Sequence, residues 1–265
     1  TFPLIDLSHL PDDEKRRETQ RLSLEQPAID LRQDPVIGVR LVRWGPEDHV
    51  LLFHVHHIIF DGWSVGVAFR ELVTLYQAFA AGQPSPLPDL PLQYGDFAIW
   101  QRRYLRGEKL QRLEEYWVQR LKGLQPLDLP IDHPRPPVRT TQAASIQLSL
   151  SPHLNRRVFD FAQREGVTLY MVLLAAFSEI LHRFTGVMDI AVGSPVANRR
   201  RREFEPLIGY FINMLVMRND LSGDPSFVNL VKRVQQTTVE SLEYQDLTLD
   251  RVVKIFAPPR DLSRH

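Results

Sequence analysis

The segment from Leu124 to Thr140 carries Pro126, Pro130, Pro134, Pro136 and Pro137, and nothing else in the chain limits its fold as strongly. Each proline fixes φ near −65° and removes a backbone N–H, so neither a helix nor a central strand can run through the segment. Residues 124–140 are therefore expected to be a linker between two parts, 1–123 and 141–265. At 265 residues the chain is long enough for one large domain or two small ones. Its 43% hydrophobic and 24% charged composition supports packed cores and excludes a disordered or fibrous chain.

Both parts mix strands with helices. Asp12 to Glu25 reads as a charged surface helix, followed by an irregular stretch through Pro27 and Pro35. Val36 to Trp44 and Val50 to His57 read as strands joined by the turn formers Gly45, Pro46, Glu47 and Asp48, a hairpin. Val67, Ala68, Leu72, Leu75, Tyr76 and Phe79 recur at helical spacing within Ser64 to Ala81, and Gly82 and Pro84 stop that helix. Asp96 to Lys122 reads as helix with a kink near Gly107. Beyond the prolines, Ala144 to Leu150 alternates like a strand, Ser151-Pro152 starts a helix to Glu165, and Thr168 caps another to Phe184. Met188 to Val196 and Phe211 to Arg218 read as strands, and Pro225 to Tyr244 and Leu249 to Phe256 as helices. The expected architecture is α/β of the α+β sandwich type, two lobes with a ligand between them.

Bulk properties remove several function classes. Thirty-two basic residues balance 32 acidic ones, so no net charge draws the chain to nucleic acid or an anionic membrane. With no cysteine, disulfides, thiolate nucleophiles and Cys-ligated metal sites are excluded, which fits a reducing, cytoplasmic setting. The longest apolar run, Leu169 to Phe177, is roughly half the length that a membrane-spanning helix needs. Thr1 opens the sequence without a signal peptide, and the expectation is an internal piece of a longer polypeptide.

Chemistry concentrates in one place. His54, His56 and His57, three of nine histidines, stand with Asp61 and Gly62 within nine residues, between a strand and a helix. Strand alternation puts His57 with Leu51, Phe53 and Val55 on the more apolar face, and His56 with Leu52 and His54 on the other. An imidazole among apolar side chains stays neutral, as a general base must be, although a buried, hydrogen-bonded histidine has the same signature. His54 and His56, at i and i+2, also suit a shared zinc, but no third ligand is evident nearby. No GxSxG elbow is present to support a covalent serine mechanism.

The run His56-His57-Ile58-Ile59-Phe60-Asp61-Gly62-Trp63-Ser64 resembles the HHxxxDG signature of nonribosomal peptide synthetase condensation domains. Further segments match in family order. Tyr94-Gly95-Asp96-Phe97-Ala98-Ile99-Trp100 resembles YxDFAxW, Gly209-Tyr210-Phe211-Ile212-Asn213-Met214 with Arg218 resembles GxFVNT…R, and Arg260 to His265 resembles the opening of RDxSRNP. Tyr244 to Asp250 stands where the family has HQDxPFE, but only Gln245 and Asp246 match. Two family motifs that precede the histidines are missing, so the resemblance implies a domain lacking both ends, its N-terminal lobe incomplete.

The resemblance implies two chloramphenicol-acetyltransferase-like lobes in a V around a tunnel, and an acyltransferase that forms amides. Its substrates would be a donor aminoacyl or peptidyl thioester and the amine of an acceptor aminoacyl thioester. Both are tethered through 4′-phosphopantetheine to upstream and downstream peptidyl carrier proteins, with an adenylation domain as neighbour; nucleic acid, membrane, bound cofactor and metal play no part. His57 is the implied catalytic residue, as base or positioning group, with His56, Asp61 and Gly62 in support. Asp61 is expected to anchor its loop through an arginine outside this chain, Gly62 to let backbone approach the reacting carbonyl, and Asn213 to contact the tetrahedral oxygen. Ser64 is expected to cap a helix, Tyr94 and Trp100 to pack, and Arg199 to Arg202 to form a solvated loop. Intact histidines favour ordinary condensation over cyclisation, and Trp63-Ser64 favours it over epimerisation. A stand-alone acyltransferase on a soluble alcohol or amine, and a non-catalytic carrier-docking module, are the alternatives.

Overall fold

The computed structural model describes residues 2–25, 29–138 and 143–256. The expected match at Arg260 to His265 lies outside the described residues. By internal contacts the chain forms two compact units, residues 1–98 with 199–211, and residues 99–198 with 212–265.

The first unit is built on a three-stranded sheet. β1 (Leu4–Asp6) pairs in parallel with β2 (Ile37–Arg43), which pairs antiparallel with β3 (His49–Val55). The hairpin is where the turn residues predict it, closed by the Trp44 N–H on the Asp48 carbonyl at 2.8 Å. Arg40 faces Leu52 and Val42 faces Val50 across the pair. Leu52 and Val42 on this face bury against Leu7 and against Leu22 of α1 (Asp12–Leu24). Leu51 and Phe53 occupy the opposite face, which is exposed despite being the more apolar.

After β3 the chain makes a three-residue 3₁₀ turn, His57–Ile59, and enters α2 (Gly62–Ala80). Helical spacing in the sequence marks α2 correctly, but the N-cap is Asp61, whose carboxylate accepts from the Ser64 N–H; Ser64 is inside the helix and is not its cap. The expected helix at 96–122 divides into α3 (Tyr94–Tyr104) and α4 (Gly107–Leu121). The break falls at Gly107, whose φ of +55° suits glycine. The boundary between the two units falls inside α3, not at the prolines, because Leu113, Trp117 and Leu121 of α4 belong to the core of the second unit.

That second unit packs α4, α5 (Pro152–Glu165), α6 (Leu169–Thr185), α7 (Phe227–Glu243) and α8 (Leu249–Phe256) with the antiparallel pair β4 (Asp189–Val196) and β5 (Asn213–Asp220). Ser151 and Thr168 cap α5 and α6 as their types predict, accepting from the N–H groups of Leu154 and Met171. The strand expected at Ala144 to Leu150 does not form: these residues pair with no strand among the described residues, and Ile146 and Leu148 are 90% and 88% exposed. Alternation makes a segment compatible with a sheet, but only ladder hydrogen bonds make it a strand. Among the described residues no single helix is long and apolar enough to cross a membrane.

Candidate active site

Everything around the histidine motif is organised by one buried carboxylate. Asp61 and Arg199 form an ion pair at 3.1 Å, with side chains 2% and 1% exposed. Asp61 Oδ1 also accepts from the Ser64 N–H and hydroxyl, each at 2.8 Å, and Oδ2 accepts from the Phe211 N–H at 3.0 Å. Arg199 donates through Nη1 to the carbonyls of Phe204 and Leu207 and through Nη2 to Ser64 Oγ, with its guanidinium 3.9 Å from the Phe211 ring centroid. Burial pushes the Asp61 carboxyl up, but the hydrogen bonds from Ser64 and Phe211 and the charge of Arg199 outweigh it, leaving it below its ordinary value.

Two expectations are corrected by this cluster. Asp61 does anchor its loop through an arginine, yet the partner is Arg199 of this chain, not a residue outside it. Arg199 is accordingly not part of a solvated loop, although Arg200, Arg201 and Arg202 are exposed. Charge counting along a run cannot tell which member turns inward, because the carboxylate that decides it is 138 residues away. Ser64, missed as a network member, also receives the Gly209 N–H at 3.0 Å.

The segment 209–211 is clamped from a second side. The Tyr94 hydroxyl donates to the Tyr210 carbonyl at 2.8 Å, and the Tyr94 ring lies so close to Gly209 that an added Cβ would stand 2.2 Å from it. Phe97, Phe204 and Phe211 fill the space beneath, with Phe97 and Phe211 centroids 4.5 Å apart. Trp63 extends the clamp by donating its indole N–H to the Glu205 carbonyl at 2.9 Å. Trp100 stacks on Tyr104 at 4.6 Å.

His57 is not in the strand and is not buried among the apolar residues of β3. β3 ends at Val55, so alternation no longer applies two residues later, and His57 opens the 3₁₀ turn with an exposed side chain. Its Nδ1 lies 2.5 Å from the Phe60 carbonyl. A carbonyl only accepts, so Nδ1 carries a hydrogen and Nε2 is left out of this bond. Tyr210 meets the imidazole edge to face at 5.4 Å. His56 caps the same turn by accepting the Ile58 N–H on Nδ1 at 3.1 Å. Gly62 opens α2 and lines, with Trp63, Gly66, Arg70, Arg202 and Glu205, a cleft of about 460 Å³. Among the described residues no three His, Asp or Glu side chains are grouped to hold a metal.

Asn213 does not fit the oxyanion role expected of it. Both hydrogens of its buried amide are committed, to the carbonyls of Gln245 and Leu247 at 2.8 Å each, and its oxygen accepts from the Met214 and Leu249 N–H groups. It ties β5 to the loop before α8 and has no donor left for a substrate. Arg218 is structural in the same way: it grips Asp189 with Nε and Nη2 and the carbonyls of Arg120 and Lys122, at the end of α4, with Nη1.

The family described as "Condensation domain" matches residues 1–265. The chain belongs to the condensation-domain family. A linear gramicidin synthase polypeptide of Brevibacillus parabrevis is 45% identical over 263 residues, which are 98% of this chain and 5% of that protein. The X-domain from teicoplanin biosynthesis, solved alone and in complex with OxyB, superposes with TM-scores of 0.86 and 0.85 at 29% identity, over 100% of this chain and 59% and 58% of those chains. The first condensation domain of the calcium-dependent antibiotic synthetase, in complex with a substrate analogue, matches in fold with a TM-score of 0.73 at 22% identity, over 96% of this chain and 59% of that one. The mixed helix and sheet structure is thus that of condensation domains, with the chloramphenicol-acetyltransferase-like fold. The chain spans about a twentieth of the gramicidin synthase polypeptide and just under three-fifths of these solved chains.

Proposed function

We propose that this condensation domain joins two carrier-bound thioesters: the acceptor α-amine attacks the donor thioester carbonyl, the C–N bond forms, and the C–S bond breaks. The attacking nitrogen loses a proton and the departing thiolate gains one, so atoms and charge balance. Both substrates are taken to be tethered through phosphopantetheine to upstream and downstream carrier proteins, beside an adenylation domain. The absence of cysteine supports a cytoplasmic setting.

The observation that carries this reading is the presentation of His57, exposed and with Nδ1 committed to Phe60, on a turn that ends at the buried Asp61. An α-amine, with a pKa of about 7.7–8.0, is already roughly one-seventh neutral at pH 7, so prior deprotonation lowers the barrier by only about 1 kcal/mol. The larger need comes after attack, when the nitrogen of the tetrahedral intermediate is strongly acidic and must lose its proton before the thiolate leaves. Nε2 of His57 takes that proton or holds the amine in line; His56, Asp61 and Gly62 shape the turn that places it.

Single-turnover amide formation between two loaded carriers, followed by mass spectrometry, tests the assignment. His57→Ala and His57→Gln are expected to lose a hundredfold or more with carrier binding retained; near-parental rates overturn a chemical role for His57. A second reading, docking without turnover, is favoured by the likeness to the teicoplanin X-domain, which has been solved in complex with OxyB. Carrier binding by the parent with no product, given suitable substrates, is its signature.

A further inference from the structure

The turn that carries His57 is three residues long, and among the described residues the imidazole has one hydrogen bond, to the Phe60 carbonyl at the end of its own loop. Such a bond sets the tautomer. A single local contact on an exposed ring still leaves freedom about Cα–Cβ and Cβ–Cγ, whereas a proton acceptor has to be held in a near-attack geometry.

The second restraint comes from outside the loop. Tyr210 places its ring 5.4 Å from that of His57, at an interplanar angle of 77°, an arrangement favoured by the aromatic quadrupole. The backbone at Tyr210 is fixed at three successive residues. Gly209 donates to Ser64 Oγ, the Tyr210 carbonyl accepts from Tyr94, and Phe211 donates to Asp61 Oδ2, at 3.0, 2.8 and 3.0 Å. Asp61, the last of these anchors, lies four residues beyond His57 and also closes the histidine turn at the start of α2. Imidazole and phenol ring therefore hang from the same buried carboxylate, one on each of its two chain segments.

Nothing about core packing requires an aromatic residue here, because Tyr210 is 40% exposed. Its hydroxyl makes no hydrogen bond among the described residues. What the side chain offers is the face and edge of a ring beside His57.

We propose that Tyr210 is a positioning residue, whose ring fixes the plane of the His57 imidazole so that Nε2 is aligned with the reacting amine. This rests on the reading of His57 given above. It predicts that the ring matters and the hydroxyl does not, and that the effect vanishes when the imidazole is removed.

The test is a double-mutant cycle in the intact polypeptide that carries this chain, read by single-turnover amide formation with loaded carriers. Tyr210→Phe is expected to stay within roughly twofold of the parent, and Tyr210→Leu to lose roughly tenfold in the maximal rate with half-saturating carrier concentration unchanged. In a His57→Ala background the same Leu substitution is expected to cost less than about twofold. An equal loss in both backgrounds, a loss confined to carrier binding, or a Phe variant as slow as Leu overturns the proposal. Tyr210→Met, measured in parallel with thermal unfolding, guards against a folding defect peculiar to Leu. The parent and His57→Ala alone report on the underlying reading: no product from the parent, or parental rates without His57, overturns that reading and this proposal together. A functional His57 with an indifferent Tyr210 overturns only this proposal.

Discussion

Asp61 and Arg199 are separated by 138 residues in sequence and by 3.1 Å in space, and their side chains are among the least exposed polar groups of the first unit. A pair so buried contributes less to net stability than its Coulomb attraction suggests, because both ions lose hydration. Removing one partner is different, since it strands the other charge. Asp61→Asn is expected to cost about 3–5 kcal/mol of unfolding free energy, measured by chemical denaturation. Arg199→Lys should also be costly, because a single ammonium cannot reach Phe204 and Leu207 carbonyls, Ser64 and Asp61 from one fork. A loss below 1 kcal/mol for either variant would mean that water replaces the missing partner.

The same pair makes a signed statement about pH. The folded-state pKa of Asp61 lies below its ordinary value of 3.8, so the carboxylate stabilises the fold fully above that value. Its contribution is lost as pH falls from there through the folded pKa. The gap in melting temperature between the parent and Asp61→Asn should therefore be constant at neutral pH and narrow progressively below about pH 4. A gap that widens on acidification would reverse the sign and remove Asp61 as the cause.

Much of this was legible in the sequence, and the failures have physical reasons. Helices and paired strands were readable because periodicity and caps are local, as with Thr168 before α6 and the turn at Gly45 to Asp48. The histidine turn was legible as a candidate site because its residues are contiguous. The facing of His57 was not, since alternation holds only within a ladder and the ladder stops at Val55. The partner of Asp61 and the loss of Asn213 as a donor were invisible because both depend on contacts that span the chain. The apolar face of β3 misled for a related reason: apolar character marks a face as able to be covered, not as covered by these residues.

Gly209 should tolerate no side chain while Tyr94 is present. A Cβ there would meet the Tyr94 ring at 2.2 Å and the Phe211 ring at 3.0 Å, and the Tyr94 hydroxyl is held by the Tyr210 carbonyl, so the ring cannot swing aside freely. Gly209→Ala is expected to destabilise by about 1–3 kcal/mol, and most of that penalty should disappear in a Tyr94→Ala background. Additive costs in the denaturation cycle would place the strain in the backbone instead.

Asn213→Ala separates a structural from a catalytic role. The amide makes four hydrogen bonds to backbone groups at Met214, Gln245, Leu247 and Leu249, and the variant leaves several of these buried and unpaired. The expected result is a loss of about 2–4 kcal/mol in stability. The single-turnover rate of the folded protein at low temperature should stay within about threefold of the parent. A rate loss of two orders of magnitude in a protein of parental stability would restore the oxyanion assignment.

Arg218→Lys addresses the last residue of the matched GxFVNT…R segment. The guanidinium joins Asp189 of β4 to the carbonyls at the end of α4, four donors in one plane, whereas an ammonium has three donors on a single nitrogen. The pair is partly exposed, which limits the electrostatic share, so the expected cost is about 1–2 kcal/mol. The end of α4 should loosen before the rest of the unit, since Arg120 and Lys122 lose the donor on their carbonyls while Trp117 keeps its hydrogen bond to Tyr244. Hydrogen exchange is the measurement: faster exchange confined to the last turn of α4 and to β4 is the expected pattern. Uniform loss of protection across the second unit would mean that Arg218 supports the whole fold and not one joint.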